Sequence, residues 1–458
     1  MNTPLKSIVE KVRESRVTPA SFAVLPDGAL AEMVYNPEES RTCFAVWRDG
    51  IVSYEDRLTL TEWKILRPYS SENTLIKNEI VLFPSHAEPY ASEQALVADV
   101  QAFIHHYVDL GRLFEQLAAY YVLFSWLYDS FNELPYLRAK GDTGSGKTRF
   151  LLTVGSLCYK PTFASGASTV SPIFRILDLF RGTLVIDEGD FRFSDEKAEV
   201  IKILNNGNAR GFPVLRSEAV GRRGEFSPRA YQVFGPKLVG TRGAFQDRAL
   251  ESRCLTEELG NRKLRPDIPI NLPLEFKTEA RSLRNKLLMF RFMNYGQLTA
   301  DASLVDRAIE PRLNQIFVPL LSVMHDEQAQ TDLKEVLHEY QRQLVADRGL
   351  EVEALVAEAI REVQVGSDGD DLGVRDITSR FIEHHAEEMD RKVTPKWVGG
   401  IIRRRLGLRT VRRGGAYLIP AAEAPRLEQL YAKYGLHADT EVPQATDAGQ
   451  DFFRTSGL

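Results

Sequence analysis

The sequence predicts an α/β protein built around a parallel sheet with helices on both faces. Short apolar strands alternate with helical segments over residues 136–240, and a glycine-rich run, residues 141–148, stands between the first strand and the first helix. A third observation is a buried apolar strand, residues 184–186, that ends in the carboxylates Asp187 and Glu188. Alternation at this spacing is typical of parallel sheets that bury both faces.

The composition is that of a folded soluble protein. Hydrophobic residues make up 43% and charged residues 26% of the 458 residues, a length that favours about two to four domains. The net charge of -5 gives no global sign of nucleic-acid binding, so such a function has to rest on local clusters. Cys43, Cys158 and Cys254 are far apart and form neither a disulfide framework nor a zinc-ligand pattern.

No segment predicts export or a membrane span. Residues 1–17 are of mixed charge and lack the apolar core of a signal peptide. The most apolar stretch, residues 118–131, is shorter than a membrane span and contains Asp129, so it reads as a buried helix. We expect a cytoplasmic protein.

Five regions follow one another along the chain. Residues 1–90 are β-rich, with Asp49-Gly50 as a type I′ hairpin turn between two apolar runs. Residues 91–265 begin with two apolar helices and continue as the alternating core. Residues 266–365 are helical, residues 366–420 form a compact unit after a Gly/Asp linker, and residues 421–458 contribute a helix and a polar tail.

The glycine-rich run has the pattern of a phosphate-binding loop, GxxxxGK[ST]. Glycines let successive backbone N–H groups turn inward around phosphates, Lys147 reaches the β- and γ-phosphates, and Thr148 offers a hydroxyl to Mg²⁺. A surface glycine-rich turn is the alternative, and the flanking strand and helix favour the loop. The expected nucleotide-binding residues are Gly141, Asp142, Thr143, Gly144, Ser145, Gly146, Lys147, Thr148 and Asp187.

The acidic pair and the next strand complete the expected ATP site. At the end of a buried strand, Asp187 is placed to hold the Mg²⁺ shell and Glu188 to polarise the attacking water. Thr241, at the end of the strand that follows, is a candidate for contact with the γ-phosphate or that water. The alternatives are a solvated acidic loop and an ordinary strand-end threonine. The pair favours hydrolysis over a nucleotide switch.

With these motifs the chain resembles the AAA+ ATPases over about residues 115–340. A fourth feature, Leu250-Glu-Ser-Arg-Cys254, resembles the Ser-Arg-Cys signature of clamp-loader subunits. The resemblance implies a P-loop AAA+ core with a helical lid at residues 266–365. It also implies an arginine finger acting on a neighbour's ATP, with Arg253 as first choice and Arg248 as second, and a sensor arginine, Arg312 or its competitor Arg307. A surface salt-bridge arginine is the alternative for the finger.

An insert at about residues 209–236 has two extended arms around a basic, glycine-bounded turn, which predicts a β-hairpin. Its place before the Thr241 strand resembles the pre-sensor hairpin of superfamily 3 viral helicases and minichromosome-maintenance helicases. The resemblance implies that Arg216, Arg222 and Arg223 contact DNA phosphates in a ring's pore. Alternatively these arginines only keep a loop soluble, and Glu218 and Glu225 dilute their charge.

The compact unit at residues 366–420 resembles a winged helix, because two helices precede a short basic hairpin around Gly414-Gly415. From residue 391 to 413 there are nine basic residues and no acidic ones. DNA contact is expected from Arg403, Arg404, Arg405, Arg412 and Arg413. Protein docking is the alternative role of such a unit.

Together these features resemble a replicative helicase of a phage, plasmid or mobile element, using ATP and Mg²⁺ as a homo-oligomeric, hexameric ring on DNA. The chain departs from the minichromosome-maintenance pattern by lacking zinc-binding cysteines and a long N-terminal DNA-binding domain. Residues 1–90 are then a collar or a site for replication partners. Two other readings remain: a clamp-loader-like or regulatory ATPase that remodels DNA-bound proteins, and a winged-helix DNA-binding regulator switched by ATP.

Overall fold

The chain divides into two units, residues 1–337 and 338–458. The computed structural model describes residues 17–61, 64–165, 168–187, 195–220, 225–245, 247–349, 352–367, 370–385 and 392–436. Among the predicted site residues, Glu188, Arg222 and Arg223 lie outside these ranges, as does the polar tail from residue 437.

Seven short strands come first in the described part of the first unit. They form an antiparallel sheet, in the order β2-β3-β4-β5, and a three-stranded sheet, β1-β7-β6, in which β1 is parallel to β7. The hairpin turn is confirmed, because Arg48 pairs with Ile51 and both turn residues have positive φ, 51° at Asp49 and 83° at Gly50. The elements are β1 (Val17–Pro19), β2 (Phe22–Val24), β3 (Leu30–Asn36), β4 (Arg41–Arg48), β5 (Ile51–Glu55), β6 (Leu58–Thr61), β7 (Lys64–Arg67) and helix α1 (Thr74–Lys77).

Two long helices, α2 (Glu93–Tyr107) and α3 (Arg112–Trp126), connect these strands to the core. The Ser92 hydroxyl caps α2 by accepting the Ala95 N–H at 3.1 Å. Nearly all of α3 is buried, so the part of the apolar stretch that lies in this helix, residues 118–126, serves the core. Across the described residues, no helix is long and apolar enough to cross a membrane.

The core sheet has five parallel strands in the order β14-β8-β13-β10-β9. This confirms the predicted parallel α/β sheet. Its strands are β8 (Tyr136–Lys140), β9 (Thr162–Ser165), β10 (Leu184–Asp187), β13 (Lys237–Thr241) and β14 (Cys254–Glu258). Between them lie α4 (Lys147–Gly155), α5 (Val170–Phe180), α6 (Asp195–Asn206), the hairpin strands β11 (Val214–Val220) and β12 (Glu225–Tyr231), and α7 (Arg248–Glu251). Because β13 lies between β8 and β10, the carboxyl ends of these three strands are neighbours.

The helices α8 (Glu275–Asn294), α9 (Pro311–Leu321) and α10 (Glu327–Gly349) follow, and α10 runs past the division between the units. Arg291 of α8 is fully buried and binds Glu32 of β3 at 2.6 Å and Asp129 at 2.7 Å. A buried cation paired with two carboxylates ties its elements together, since removing one partner leaves an uncompensated charge. The N-terminal strands and α8 therefore pack with the core.

The second unit is a three-stranded sheet, β15-β17-β16, covered by helices. Its elements are α11 (Val352–Val365), β15 (Leu372–Gly373), α12 (Val374–His385), α13 (Pro395–Arg404), β16 (Val411–Arg413), β17 (Ala416–Ile419) and α14 (Ala424–Tyr434). Thr394 caps α13 and Pro395 opens it, a pairing of cap residue and first-turn proline that favours a helix start. Residues up to 365 were expected to belong to the preceding helical region. Helix α11 instead packs in the second unit, because Val356 and Ile360 are buried in the same core as Phe381 and Ile402. Helix α14 also belongs to this core, through Leu427 and Tyr431.

Candidate active site and nucleic-acid interface

The glycine-rich loop leaves the carboxyl end of β8 and turns into α4. Gly144 and Gly146 have φ of 81° and 99°, the region that favours glycine, and a Cβ on Gly141 would come within 2.5 Å of the Leu259 carbonyl oxygen. Buried Lys147 donates from Nζ to the carbonyl oxygens of Gly141, at 2.7 Å, and Asp142, at 2.6 Å. The loop thus encloses an ammonium group at the N-terminus of a helix, an arrangement that binds phosphate.

Thr148 and Asp187 meet beside the loop. The Thr148 hydroxyl donates to Asp187 Oδ2 at 2.5 Å, although the two residues lie on different elements. Gly240 of β13 makes room for this pair, because a Cβ there would stand 3.0 Å from Asp187 Oδ1. A hydroxyl and a carboxylate oxygen are ligands that suit Mg²⁺, so these two residues fit the metal expected with a nucleoside triphosphate.

Thr241 lies between these groups, at the carboxyl end of β13. Its carbonyl oxygen accepts the Gly141 N–H at 3.1 Å, which places it against the loop. Its side chain is 1% exposed, and its hydroxyl has no hydrogen-bond partner within the described part of the chain. A buried hydroxyl without a partner costs free energy. Ser145 Oγ in the loop is also buried and without a partner there.

A cavity of about 590 Å³ adjoins the loop. Its floor is the segment from Asp142 to Gly146, and its walls are Val108-Asp109 and residues 258–270, which include the apolar side chains of Leu264, Ile268 and Ile270. Arg149 of α4 fastens both walls, donating to the carbonyl oxygens of Pro269 at 2.8 Å, Ile270 at 2.6 Å and Tyr107 at 3.3 Å. An apolar cavity beside a phosphate loop suits a nucleobase.

The sequence analysis missed these walls. Residues 258–270 offer only an apolar, proline-containing segment after a strand, a signal shared by many loops. Their place beside the phosphate loop depends on the pairing of β14 with β8, which brings Glu258 next to Lys140.

The candidate arginines lie away from this chain's own phosphate loop. The Arg253 carbonyl accepts the Tyr136 N–H at 2.8 Å, at the amino end of β8, whereas the loop follows its carboxyl end. Arg253 binds the side-chain oxygen of Asn205. Burial lowers the pKa of Arg253, and the charge of nearby Arg312 lowers it further. Arg248, the first residue of α7, is exposed on the segment that leads to Arg253.

The predicted hairpin is present as β11 and β12, paired from Val214–Tyr231 to Val220–Glu225. Arg216 is half-buried, binds Glu199 at 2.8 Å and lies over the Phe174 ring, so it is engaged at the root of the hairpin. Glu218 is held by Arg175 at 2.5 Å. The basic turn with Arg222 and Arg223 lies outside the described residues.

The basic residues of the second unit fall into two groups. Arg405 binds Glu353 at 3.1 Å and Arg413 binds Asp371 at 2.6 Å, so both are held in ion pairs. Arg403 of α13 and Arg412 of β16 instead flank the Tyr417 ring, which is 50% exposed, at 5.5 and 6.0 Å. Arg404 is exposed on α13 as well. An exposed ring between arginines suits stacking and phosphate contact.

Within the described ranges, no cluster of three or more His, Cys, Asp or Glu side chains has the geometry of a metal site. The three cysteines are free, and burial raises the pKa of Cys158 and Cys254 to about 12.

No family model matches the sequence, and no curated protein matches it. Among solved structures, the apo A form of the NrS-1 C-terminal region is similar over 85% of this chain and 96% of that chain, at 11% identity and a TM-score of 0.36. An inhibitor-bound JCV helicase is similar over 57% of this chain and 62% of that chain, at 15% identity and a TM-score of 0.22. The function of this chain is therefore argued from its own residues.

Proposed function

We propose that this chain is an ATP-hydrolysing AAA+ helicase or translocase that works on DNA as a ring of identical subunits. The observation that carries the proposal is the phosphate loop with its partners. Lys147, the Thr148–Asp187 contact and the unpaired Thr241 hydroxyl gather at one edge of a parallel sheet, beside a cavity of about 590 Å³. Each of these groups has a distinct task in phosphoryl transfer.

The residues divide the reaction between them. The loop N–H groups and the Lys147 ammonium hold the phosphates, and Thr148 with Asp187 would hold Mg²⁺, which neutralises charge on the phosphate oxygens when bound. Glu188, next in the chain after Asp187, accepts a proton from the attacking water. The Thr241 hydroxyl then donates to the γ-phosphate or orients that water, which supplies its missing partner.

The position of the arginines supports a site shared between subunits. Arg253 and Arg312 lie close together at the amino ends of the strands, where neither can reach the loop of the same chain. Arginines presented at an edge away from their own nucleotide suit a neighbour's nucleotide, where they neutralise charge that develops in the transition state. A closed ring of identical subunits provides such a neighbour to every subunit.

Two surfaces support DNA as the substrate. In the sequence, Arg222 and Arg223 stand between the two hairpin strands, and the chain continues from β12 into core strand β13, which ends at Thr241 at the phosphate edge. In the second unit, Arg403, Tyr417 and Arg412 form an exposed basic and aromatic face of a fold that we propose to be a winged helix. Basic groups beside exposed rings contact phosphates and bases together.

ATP hydrolysis with and without single-stranded DNA tests the proposal. We expect DNA to stimulate hydrolysis by the parent chain, and Lys147→Ala to remove both basal and stimulated activity. The double change Arg222→Ala with Arg223→Ala should keep basal hydrolysis and lose the stimulation. The matched control is Lys77→Ala, an exposed lysine paired with Glu72 at 2.8 Å, which should behave as the parent does. Hydrolysis that DNA leaves unchanged in the parent would contradict the proposal.

A further inference from the structure

A second cavity, of about 370 Å³, opens at the amino ends of the core strands. Tyr128, which precedes β8, Arg181, which precedes β10, and Phe234, which precedes β13, all line it. The phosphate loop follows the carboxyl end of β8, so this cavity lies at the opposite edge of the sheet. It is therefore a separate site from the one that holds the nucleoside triphosphate.

Aromatic rings form the walls of this cavity. Phe22 of the N-terminal sheet and Tyr295 meet edge to face, with ring centroids 5.9 Å apart. Tyr128 and Phe234 meet on the core side, with centroids 5.7 Å apart. Phe22, Phe234 and Tyr295 are only partly buried, so their rings remain available to a flat ligand. A volume near 370 Å³ lies in the range of small-ligand pockets.

Two exposed arginines border the cavity. Arg210 donates from Nε to the Phe131 carbonyl oxygen at 2.8 Å and from Nη2 to the Asp129 carbonyl oxygen, while its guanidinium lies 4.8 Å over the Phe234 ring. Carbonyl oxygens orient a guanidinium without neutralising it. Arg181 donates from Nε to the Asp178 carbonyl oxygen at 3.1 Å.

The carboxylates near the cavity are largely bound to other groups of the protein. Both oxygens of Asp129 accept from Arg291, at 2.9 and 2.7 Å, and Glu32 is held by Arg291 and Lys160. Asp178 lies 3.5 Å from Arg181 Nη2 and also accepts the Gln232 N–H at 3.0 Å. Among these groups four cations face three carboxylates, so the cavity favours an anionic occupant.

The cavity also adjoins the root of the hairpin. Gly211 and Gln232, which line it, stand just outside the two hairpin strands, and Gln232 is fastened to the helix that carries Asp178. The paired hairpin strands are seven residues long, so a nucleic-acid strand held at the turn would have to extend about 20 Å to reach this cavity at the root. The aromatic rings, the excess of one positive charge and this position fit a nucleotide unit of such a strand.

We propose that this cavity binds one nucleotide of single-stranded DNA, with the base between the aromatic walls and the phosphate at Arg181 and Arg210. The inference rests on the proposed function for the approach of DNA, and adds a site at which an unstacked base is held. It also assigns the N-terminal sheet a role in DNA binding, because the Phe22 ring forms part of the cavity wall.

Binding of a fluorescein-labelled oligothymidine to the full chain, followed by anisotropy at several salt concentrations, tests the inference. The double change Arg181→Ala with Arg210→Ala should weaken binding about tenfold and lower the salt slope by about 0.7, since the two arginines hold one phosphate and each phosphate neutralised on a single strand contributes about 0.7. Basal ATP hydrolysis should be unchanged. The control Arg41→Ala, an exposed arginine paired with Asp56 at 2.9 Å, should bind as the parent does.

Stacking of the base on the aromatic rings can be measured separately from phosphate binding. An oligonucleotide carrying 2-aminopurine should lose fluorescence on binding the parent, because stacking quenches that base, and lose less with Phe234→Leu. This substitution keeps an apolar side chain, and an unchanged thermal midpoint shows that it folds.

The outcomes are distinguishable. If the arginine and Phe234 variants bind as the parent does while the Arg222, Arg223 variant binds weakly, the cavity inference is wrong and the proposed function stands. If the parent binds no single-stranded DNA, both are contradicted. If free thymidine monophosphate competes as well as the oligothymidine at equal nucleotide concentration, the cavity holds a small anion and the assignment to DNA is overturned.

Discussion

Replacing Thr241 by valine should make the protein more stable and less active at once. The change removes a hydroxyl and keeps the branched shape of a side chain that is 1% exposed. In the described structure the hydroxyl has no hydrogen-bond partner, so the folded chain holds it at a cost that the variant avoids. Thr241 lies against the phosphate loop, and we propose that its hydroxyl contacts the γ-phosphate or the attacking water, so its loss should slow hydrolysis.

The two magnitudes follow from different principles. A buried hydroxyl without a partner costs about 1–3 kcal/mol, so Thr241→Val should raise the free energy of unfolding by about 1 kcal/mol. Removing one donor that stabilises charge in a transition state typically lowers kcat about 100-fold or more. Nucleotide affinity should change far less, because Lys147 and the loop N–H groups remain.

Urea denaturation without nucleotide and steady-state ATP hydrolysis measure the two effects. Thr183 is the matched control: it is 0% exposed, its hydroxyl also has no partner in the described structure, and it precedes β10 at the opposite edge of the sheet. Thr183→Val should stabilise the chain similarly and leave kcat unchanged. If Thr241→Val hydrolyses ATP as fast as Thr183→Val does, Thr241 does not act on the γ-phosphate or the water.

Three further predictions concern other parts of the first unit. Burial lowers the pKa of Lys237 to about 7. Between about pH 7 and 10.5 the Lys237 side chain is therefore protonated in the unfolded chain and neutral in the folded chain. The free energy of unfolding should rise with pH across that window. Denaturation at a series of pH values should show a steeper rise in the parent than in Lys237→Met, which keeps the smaller contribution of Lys160, whose pKa burial lowers to about 8. Arg149→Ala should weaken ATP binding about tenfold and leave inorganic tripolyphosphate binding unchanged. The change removes the hydrogen bonds that hold Pro269 and Ile270 beside the cavity, and it leaves the phosphate loop intact. Calorimetric titration with both ligands measures the two affinities. Mixing Arg253→Ala with Lys147→Ala subunits should restore part of the ATP hydrolysis that each lacks alone, and no recovery on mixing would contradict a finger that acts across an interface.

The phosphate loop and the parallel sheet were predictable because their signals are local. A GxxxxGK[ST] run, a strand that ends in Asp187 and the Asp49-Gly50 turn each occupy a few consecutive residues, and backbone chemistry dictates their shape. The hairpin strands β11 and β12 were predictable for the same reason.

The surroundings of the site were not predictable, because they depend on which strands pair. The position of β14 beside β8 brings residues 258–270 to the phosphate loop. No motif in that segment predicts this position. Helix α11 has the periodicity of any amphipathic helix, so its packing with Ile402 rather than with the preceding helices shows only in the folded chain. The cavity around Phe234 collects residues from seven separate segments.

Strand displacement on a forked DNA duplex tests the central claim most directly. With ATP and Mg²⁺ the parent chain should separate the strands, and Glu188→Gln, which keeps the shape of the side chain and removes its charge, should bind ATP and DNA and separate none. Displacement by Glu188→Gln at the parent's rate, or no displacement by a parent chain that hydrolyses ATP and binds the fork, would contradict the claim that hydrolysis at this site moves DNA.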